Sequence, residues 1–274
     1  MGTFIQLKNF EALLPYANMF KEGLIVTLLL AFFTVLLGFV LGLMLAVLRM
    51  SNFRPFLWLA HAFPRVFGFF ERDRQSGLLR DSGFLYHLGR FNPLSFLATA
   101  YVEVIRSTPV LVQISLIYFG VFSLLFDLPT FKIFGFISFN RFFPGVVALA
   151  MNSAAYLCEI IRSGLQSIDG GQTEAARSLG LTQMQNMRFI ILPQAIKNIL
   201  PAIANEFVTI IKESAITYVI GVQDIMAMVN SIRSATYIIM EPLLVATLLY
   251  FCICFPLSKL IAYIERRMSR GDRR

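Results

Sequence analysis

Four stretches of the chain run without a charge for membrane-scale distances: residues 24–48, 107–126, 142–158 and 242–258. A fifth apolar stretch, 199–222, admits only Glu206, Lys212 and Glu213. A bilayer core takes about 20 apolar residues to cross as a helix. Lipid offers no water to unpaired backbone groups, so each stretch is expected to be helical. The first, 25 residues long, is too long for a signal-peptide core and lacks a cleavage-like end, so it reads as a retained helix. The second extends backwards through 98–105, and Pro109 predicts a bend or entry point beside Thr108. The third is expected to continue to about Gln166. The last helix in chain order, over 242–258 and a little beyond, carries Pro256 and Lys259 near its end, where the lysine can reach the interface.

Composition sharpens this reading. Hydrophobic residues make up 57% of the chain and charged residues only 15%. A soluble enzyme of this size would expose large apolar patches, so that class is excluded in favour of an integral membrane protein. The net charge of +8 would suggest nucleic acid in a soluble chain. Here the charges lie between and after the apolar runs, where they set topology instead. Segments 49–97, 164–200 and the tail from 265 hold fifteen Lys and Arg, against five in 1–23, 127–142 and 223–241. That asymmetry predicts five crossings with the N-terminus outside and the C-terminus cytoplasmic.

Residues 53–97 are the irregular part, expected to form a cytoplasmic or interfacial loop inserted into a single membrane domain spanning 1–274. Within it, 56–70 is apolar and aromatic but short for a crossing, and reads as an interfacial helix. A sixth crossing there is the alternative, and it conflicts with the charge count. His61 and His87 both fall in this loop, with no nucleophile or metal ligand arranged around either. Cys158, Cys252 and Cys254 lie in apolar stretches without metal spacing and read as small buried hydrophobes.

The segment 169–194, between the third and fourth helices, carries the most information. Thr173 or Asp169 can cap a helix beginning near Glu174, and a glutamate in the first turn suits the helix dipole. Ala175 and Ala176 let a partner surface approach closely. Gly180 can end the helix in the left-handed conformation. A second short helix is expected from about Thr182 to Ile190, with a break at Pro193. Glu174-Ala175-Ala176, three residues, Gly180, nine residues, Ile190, one residue, Leu192-Pro193 is similar to the EAA loop of ABC importer membrane subunits, and every fixed position matches. The run from Tyr101 through Glu103, Arg106 and Pro109 to Gln113 resembles the polar-amino-acid branch of that family. So do Asn152 to Tyr156 and Glu159 to Ile168. The resemblance covers about 20–50 and 98–268 and is nearest to histidine-, glutamine- and glutamate-type permeases. Two departures stand out. Roughly 40 residues are inserted after the first helix, and Lys212-Glu213-Ser214-Ala215-Ile216 replaces the branch's usual Lys-Asp-Thr-Ser-Leu.

The resemblance implies an all-helical type I importer permease in a bacterial inner membrane, paired with a second copy or a homologue. It implies a coupling loop (Glu174, Ala175, Ala176, Gly180, Ile190, Leu192 and Pro193) docked on a cytoplasmic ATPase dimer. An external, periplasmic amino-acid-binding protein would deliver the substrate. The chain has no Gly-x-x-x-x-Gly-Lys-Ser/Thr phosphate loop, so ATP and Mg would sit on the separate ATPase. A stand-alone channel or secondary carrier is the alternative, and a membrane-embedded enzyme a more remote one. The clean apolar stretches lack the intramembrane His and Asp that such an enzyme needs.

Charged groups inside a membrane usually face protein or a water-filled path. Glu103 with Arg106, and Glu159 with Arg162, stand three apart and can pair on one helix face, either structurally or along a path. Asn152, Tyr156, Glu159 and Ser163 share one helical face. Asn205, Thr209 and Lys212 share another. Asn152, Tyr156, Asn205, Thr209 and Lys212 are therefore candidates for a substrate path.

Overall fold

The computed structural model describes residues 7–50 and 92–269. The fold is helical. Among the described residues, four helices are long and apolar enough to cross a membrane, and a bent pair supplies up to a fifth span. The chain is a multi-pass membrane protein.

A short helix, α1 (Leu7–Leu13), leads through a tight turn into α2 (Ala17–Met50). Its buried positions include Gly23, Thr27 and Ala31 and, seven residues further on, Gly38, Gly42 and Ala46, each set at four-residue spacing. That stripe of small residues lets α5 (Phe139–Gln166) lie close along α2. A Cβ on Gly42 would stand 2.9 Å from the Ala154 carbonyl oxygen, and one on Gly38 would stand 3.2 Å from the Ser153 Cβ. Close approach of this kind holds helices together where lipid removes the hydrophobic drive to associate.

The second expected crossing is two helices, α3 (Pro93–Arg106) and α4 (Val110–Leu125), set at 110° to each other. Asn92 caps α3 by accepting from the backbone N–H groups of Leu94 and Ser95. Residues 93–97, read from sequence as the end of the inserted loop, therefore open this helix. The rest of that loop, with 56–70, His61 and His87, lies outside the described residues.

A two-stranded hairpin, β1 (Lys132–Ile133) and β2 (Ile137–Ser138), turns through Phe134 and Gly135, both at positive φ. It leads directly into α5, which continues to Gln166 as expected, past Pro144.

Beyond α5 come α6 (Gly170–Ser178), α7 (Gln183–Asn186), a π-helical turn (Met187–Ile191) and α8 (Leu192–Glu213). The break expected at Pro193 does not occur. Pro193 stands in the first turn of α8, where a missing N–H is tolerated, and the π turn before it shifts the hydrogen-bond register. Helical backbone therefore runs from Gln183 to Ile220, the last stretch tightening to a 3₁₀ helix that ends at left-handed Gly221.

The segment read only as a connector, 223–241, contains α9 (Ile225–Thr236). This helix packs on α2 at Gly23, where an added Cβ would meet Met228 at 2.9 Å and the Asp224 carbonyl oxygen at 3.0 Å. The chain closes with α10 (Met240–Ser269), which passes through Pro256 unbroken. Cys158 is buried as expected and Cys254 partly so, but Cys252 is exposed, because it stands on the outward face of α10.

Candidate coupling surface and intramembrane polar groups

The loop 169–194 folds into a compact knob at the end of α5 away from the hairpin. Asp169 caps α6 by accepting from the Gly171 N–H, so the helix starts at Gly170, four residues before the expected Glu174. Glu174 then lies in the second turn, exposed to solvent. Gly180 ends the helix as the sequence predicts, at φ 78°. Its N–H donates to the Arg177 carbonyl and that of Leu181 donates to the Ala176 carbonyl, the paired bonds of a Schellman cap.

Thr182 and Gln185 form a reciprocal capping box at the start of α7. Inside the knob, buried Asn186 donates to Thr173 Oγ1 at 3.3 Å and so ties α7 to α6. Ala176 is buried against this seam while Ala175 faces out. Ile190 is partly buried in the π turn, and Leu192 and Pro193 are exposed. The surface is unusually apolar for a polar loop: Leu179 is 80% exposed, Met184 76% and Phe189 64%.

Behind the knob, the ends of α2, α3 and α5 meet in a cluster of five charged side chains. Glu159 is its centre. Its Oε1 accepts from Arg49 and lies 3.8 Å from Arg106. Its Oε2 accepts from Arg162 Nη2 at 2.7 Å. Glu103 lies 3.7 Å from Arg49. The expected Glu159–Arg162 pair is present. Glu103 turns instead to Arg49 at the end of α2, and Arg106 to Glu159 on α5. Sequence reading had assigned Arg49 to topology alone. Only its position at the helix end, level with two acid–base pairs, signalled more.

The candidate path residues divide. Asn152 is buried, and its amide donates to Gln113 Oε1 at 2.8 Å. Gln113 in turn donates to the Ile105 carbonyl at 2.7 Å and to Thr108. The two residues stitch the bend between α3 and α4 to α5, and Asn152 has no open face. Tyr156 is exposed, with the Arg106 guanidinium 5.8 Å from its ring centre. On α8, Asn205 and Lys212 are exposed and Thr209 partly so. Asn205 lines a cavity of about 350 Å³ with Lys197, Pro201 and Glu265, between α8 and the end of α10. One polar contact went unread in the sequence: the Ser153 hydroxyl donates to Glu206 at 2.9 Å, between α5 and α8. Among the described residues, no group of three or more His, Cys, Asp or Glu could hold a metal ion.

Residues 82–270 match the sequence profile of the binding-protein-dependent transport system inner membrane component. The chain belongs to this family. It is a transport permease subunit and not an enzyme, and ATP hydrolysis belongs to a separate subunit of such systems. The arginine transport system permease ArtQ of Bacillus subtilis (strain 168) is 35% identical over 96% of this chain and 99% of its own length. The nopaline transport system permease NocM of Agrobacterium fabrum is 35% identical over 87% of this chain and 83% of its own. Among solved structures, an amino acid ABC transporter crystallised with histidines is 39% identical to this chain. The alignment has a TM-score of 0.73 and covers 94% of this chain and 98% of that one. The inward-facing methionine transporter MetNI, at 18% identity and a TM-score of 0.59, shares the fold. The type I permease fold is thereby shown, and the channel, carrier and enzyme alternatives lapse.

Proposed function

We propose that this permease moves polar or charged amino acids across a bacterial cytoplasmic membrane, paired with a second copy or a homologue. An external binding protein delivers the substrate, and an ATPase dimer carrying ATP and Mg drives the cycle from the cytoplasm. The observation that supports this most directly is the knob of 169–194, a self-capped pair of helices that leaves Leu179, Met184 and Phe189 exposed. In this reading Glu174, Ala175, Ala176, Gly180, Ile190, Leu192 and Pro193 form or support the ATPase contact. The substrate class is that of the relatives, which are named for transport of arginine, glutamine and nopaline. The positive-inside count supports an N-terminus outside and the knob and C-terminus in the cytoplasm.

The mechanism follows from connectivity. ATP-driven closure of the ATPase pair moves the knob, and the knob is continuous with α8. Tyr156, Asn205, Thr209 and Lys212 offer polar groups that water or substrate can reach. The charge cluster around Glu159 keeps the ends of α2, α3 and α5 moving as one body.

The test is purification of the tagged protein from native membranes in mild detergent, followed by uptake in proteoliposomes. An ATPase at about one copy per permease, with ATP-dependent amino-acid uptake, is the expected result. Absence of the ATPase under conditions that keep a related importer intact overturns the reading. Glu174→Lys is expected to weaken ATPase co-purification, because it reverses an exposed charge on the docking helix.

A further inference from the structure

The hairpin that joins α4 to α5 carries an uncommon tip. Phe134 and Gly135 are the central residues of its turn, which closes as the Phe136 N–H donates to the Ile133 carbonyl at 3.3 Å. Both lie at positive φ, 53° and 80°. A turn of this kind favours Asn, Asp or Gly at the first of these positions, and a bulky residue there is a conformational outlier. Here the position holds out a phenylalanine ring that is 75% exposed. Backbone strain spent on an exposed ring points to something outside the fold that receives it.

The two sides of the hairpin differ. Ile137 is buried, and Ile133 and Phe136 pack with it on the core between α2, α4 and α5. On the other side Phe131 stacks on Phe139, with ring centres 4.7 Å apart. A line of rings continues through Phe143 and Phe122 to Phe126, at separations of 5.4 to 5.7 Å. Phe126, Phe131 and Phe143 are exposed, and no ring in the line carries a polar atom. At its α4 end the line adjoins exposed Leu124 and Leu125, the last turn of an apolar helix. Charge returns only with exposed Asp127, Lys132 and Arg141, at the end of the spans away from the knob. Carbon alone followed by charge is the gradient of a bilayer boundary, where hydrocarbon gives way to headgroups. A protein that docks from water and leaves again would bare these rings between encounters. Lipid covers them throughout.

We propose that the hairpin is an interfacial lipid anchor. Phe131 and Phe134 lie among the acyl chains just below the headgroups of the leaflet opposite the knob, and Lys132 reaches the phosphates beside them. The anchor holds the joint between α4 and α5 at one depth in the membrane.

The experiment places one nitroxide at a time on the complete transporter in lipid nanodiscs, in a chain carrying Cys252→Ser and Cys254→Ser. Cys158 is buried and does not compete for label. Phe134→Cys and Phe131→Cys are labelled separately. Collisions with oxygen are compared with collisions with a water-soluble nickel chelate. The oxygen-to-nickel ratio should exceed that of the free label in buffer by about threefold or more, because apolar solutes favour the hydrocarbon phase. Phe134, the tip, decides where the two sites differ. A ratio equal to that in buffer overturns the proposal, since the hairpin then faces water. A label closed to both reagents overturns it in favour of a second permease copy seated on the rings. Protection that begins only when the external binding protein is added overturns it in favour of that partner. Should Phe134→Cys fail to assemble, Phe131→Cys reads the same boundary from the base of the hairpin.

Discussion

Asp224 shows what burial does to one side chain. Its Oδ1 caps α9 by accepting from the Ala227 N–H at 2.9 Å, and its Oδ2 is buried without a hydrogen-bond partner. Desolvation pushes its carboxyl up to about 7, against roughly 3.9 in an unfolded chain. The folded state therefore holds a proton that the unfolded state has released. The stabilisation is fully present below about pH 4 and is lost as pH rises through about 7. Thermal unfolding in detergent across pH 5 to 8 should show wild type losing stability relative to Asp224→Asn as pH rises, since the amide keeps the cap and cannot ionise. Parallel pH profiles for the two proteins would refute this. The Glu159 cluster meets burial differently. Only 16% of the Glu159 side chain is exposed, and three guanidinium groups surround its carboxylate.

At the scale of elements, two glycines on one stripe make unequal demands. An alanine Cβ at position 42 would press on a backbone carbonyl at 2.9 Å, which cannot turn away; at position 38 the nearest atom, at 3.2 Å, belongs to a side chain. Gly42→Ala is expected to cost about 1–3 kcal/mol as an overpacking change, and Gly38→Ala clearly less. Scanning fluorimetry in detergent should rank their melting temperatures in that order, and the reverse order would refute the packing argument. Gly180 differs in kind. An added Cβ there meets nothing within 4 Å, yet φ is +78°. Gly180→Val therefore strains only the backbone, by about 1–2 kcal/mol, and reshapes the knob. ATP hydrolysis should continue while uptake falls; normal uptake would exclude a coupling role.

These elements also show how far the sequence could be read. The spans, Gly180 and the capped knob were legible because hydrophobic run length and local capping decide them. The helix α9 was missed because it is short and amphipathic in a segment too polar to cross. Proline rules suggested a break at Pro193, but a π turn three-dimensionally absorbed the missing donor. Asn152 looked available because helical periodicity reports a face and not its neighbour. That neighbour, Gln113, arrives from 39 residues away, and no local pattern reports such a distance. Arg49 and Glu206 belong to the same class: their meaning depends on which helices stand beside them.

For the whole molecule, the unbroken helical backbone from Gln183 to Ile220 has a mechanical consequence. Its 38 residues extend about 57 Å at 1.5 Å per residue, with the knob at one end and left-handed Gly221 at the other. At that far end Gly221 sits against Arg141, at the start of α5. Spin labels at Met184→Cys and Tyr218→Cys of one chain should therefore keep a single separation through the ATP cycle; two separations would mean that the π turn yields. A run of this length that tilts as one body on α5 and α10 behaves as an oar in its lock. A tilt of only about 10° sweeps each tip by about 5 Å, in opposite directions, so a push on one side of the bilayer arrives on the other as a pull.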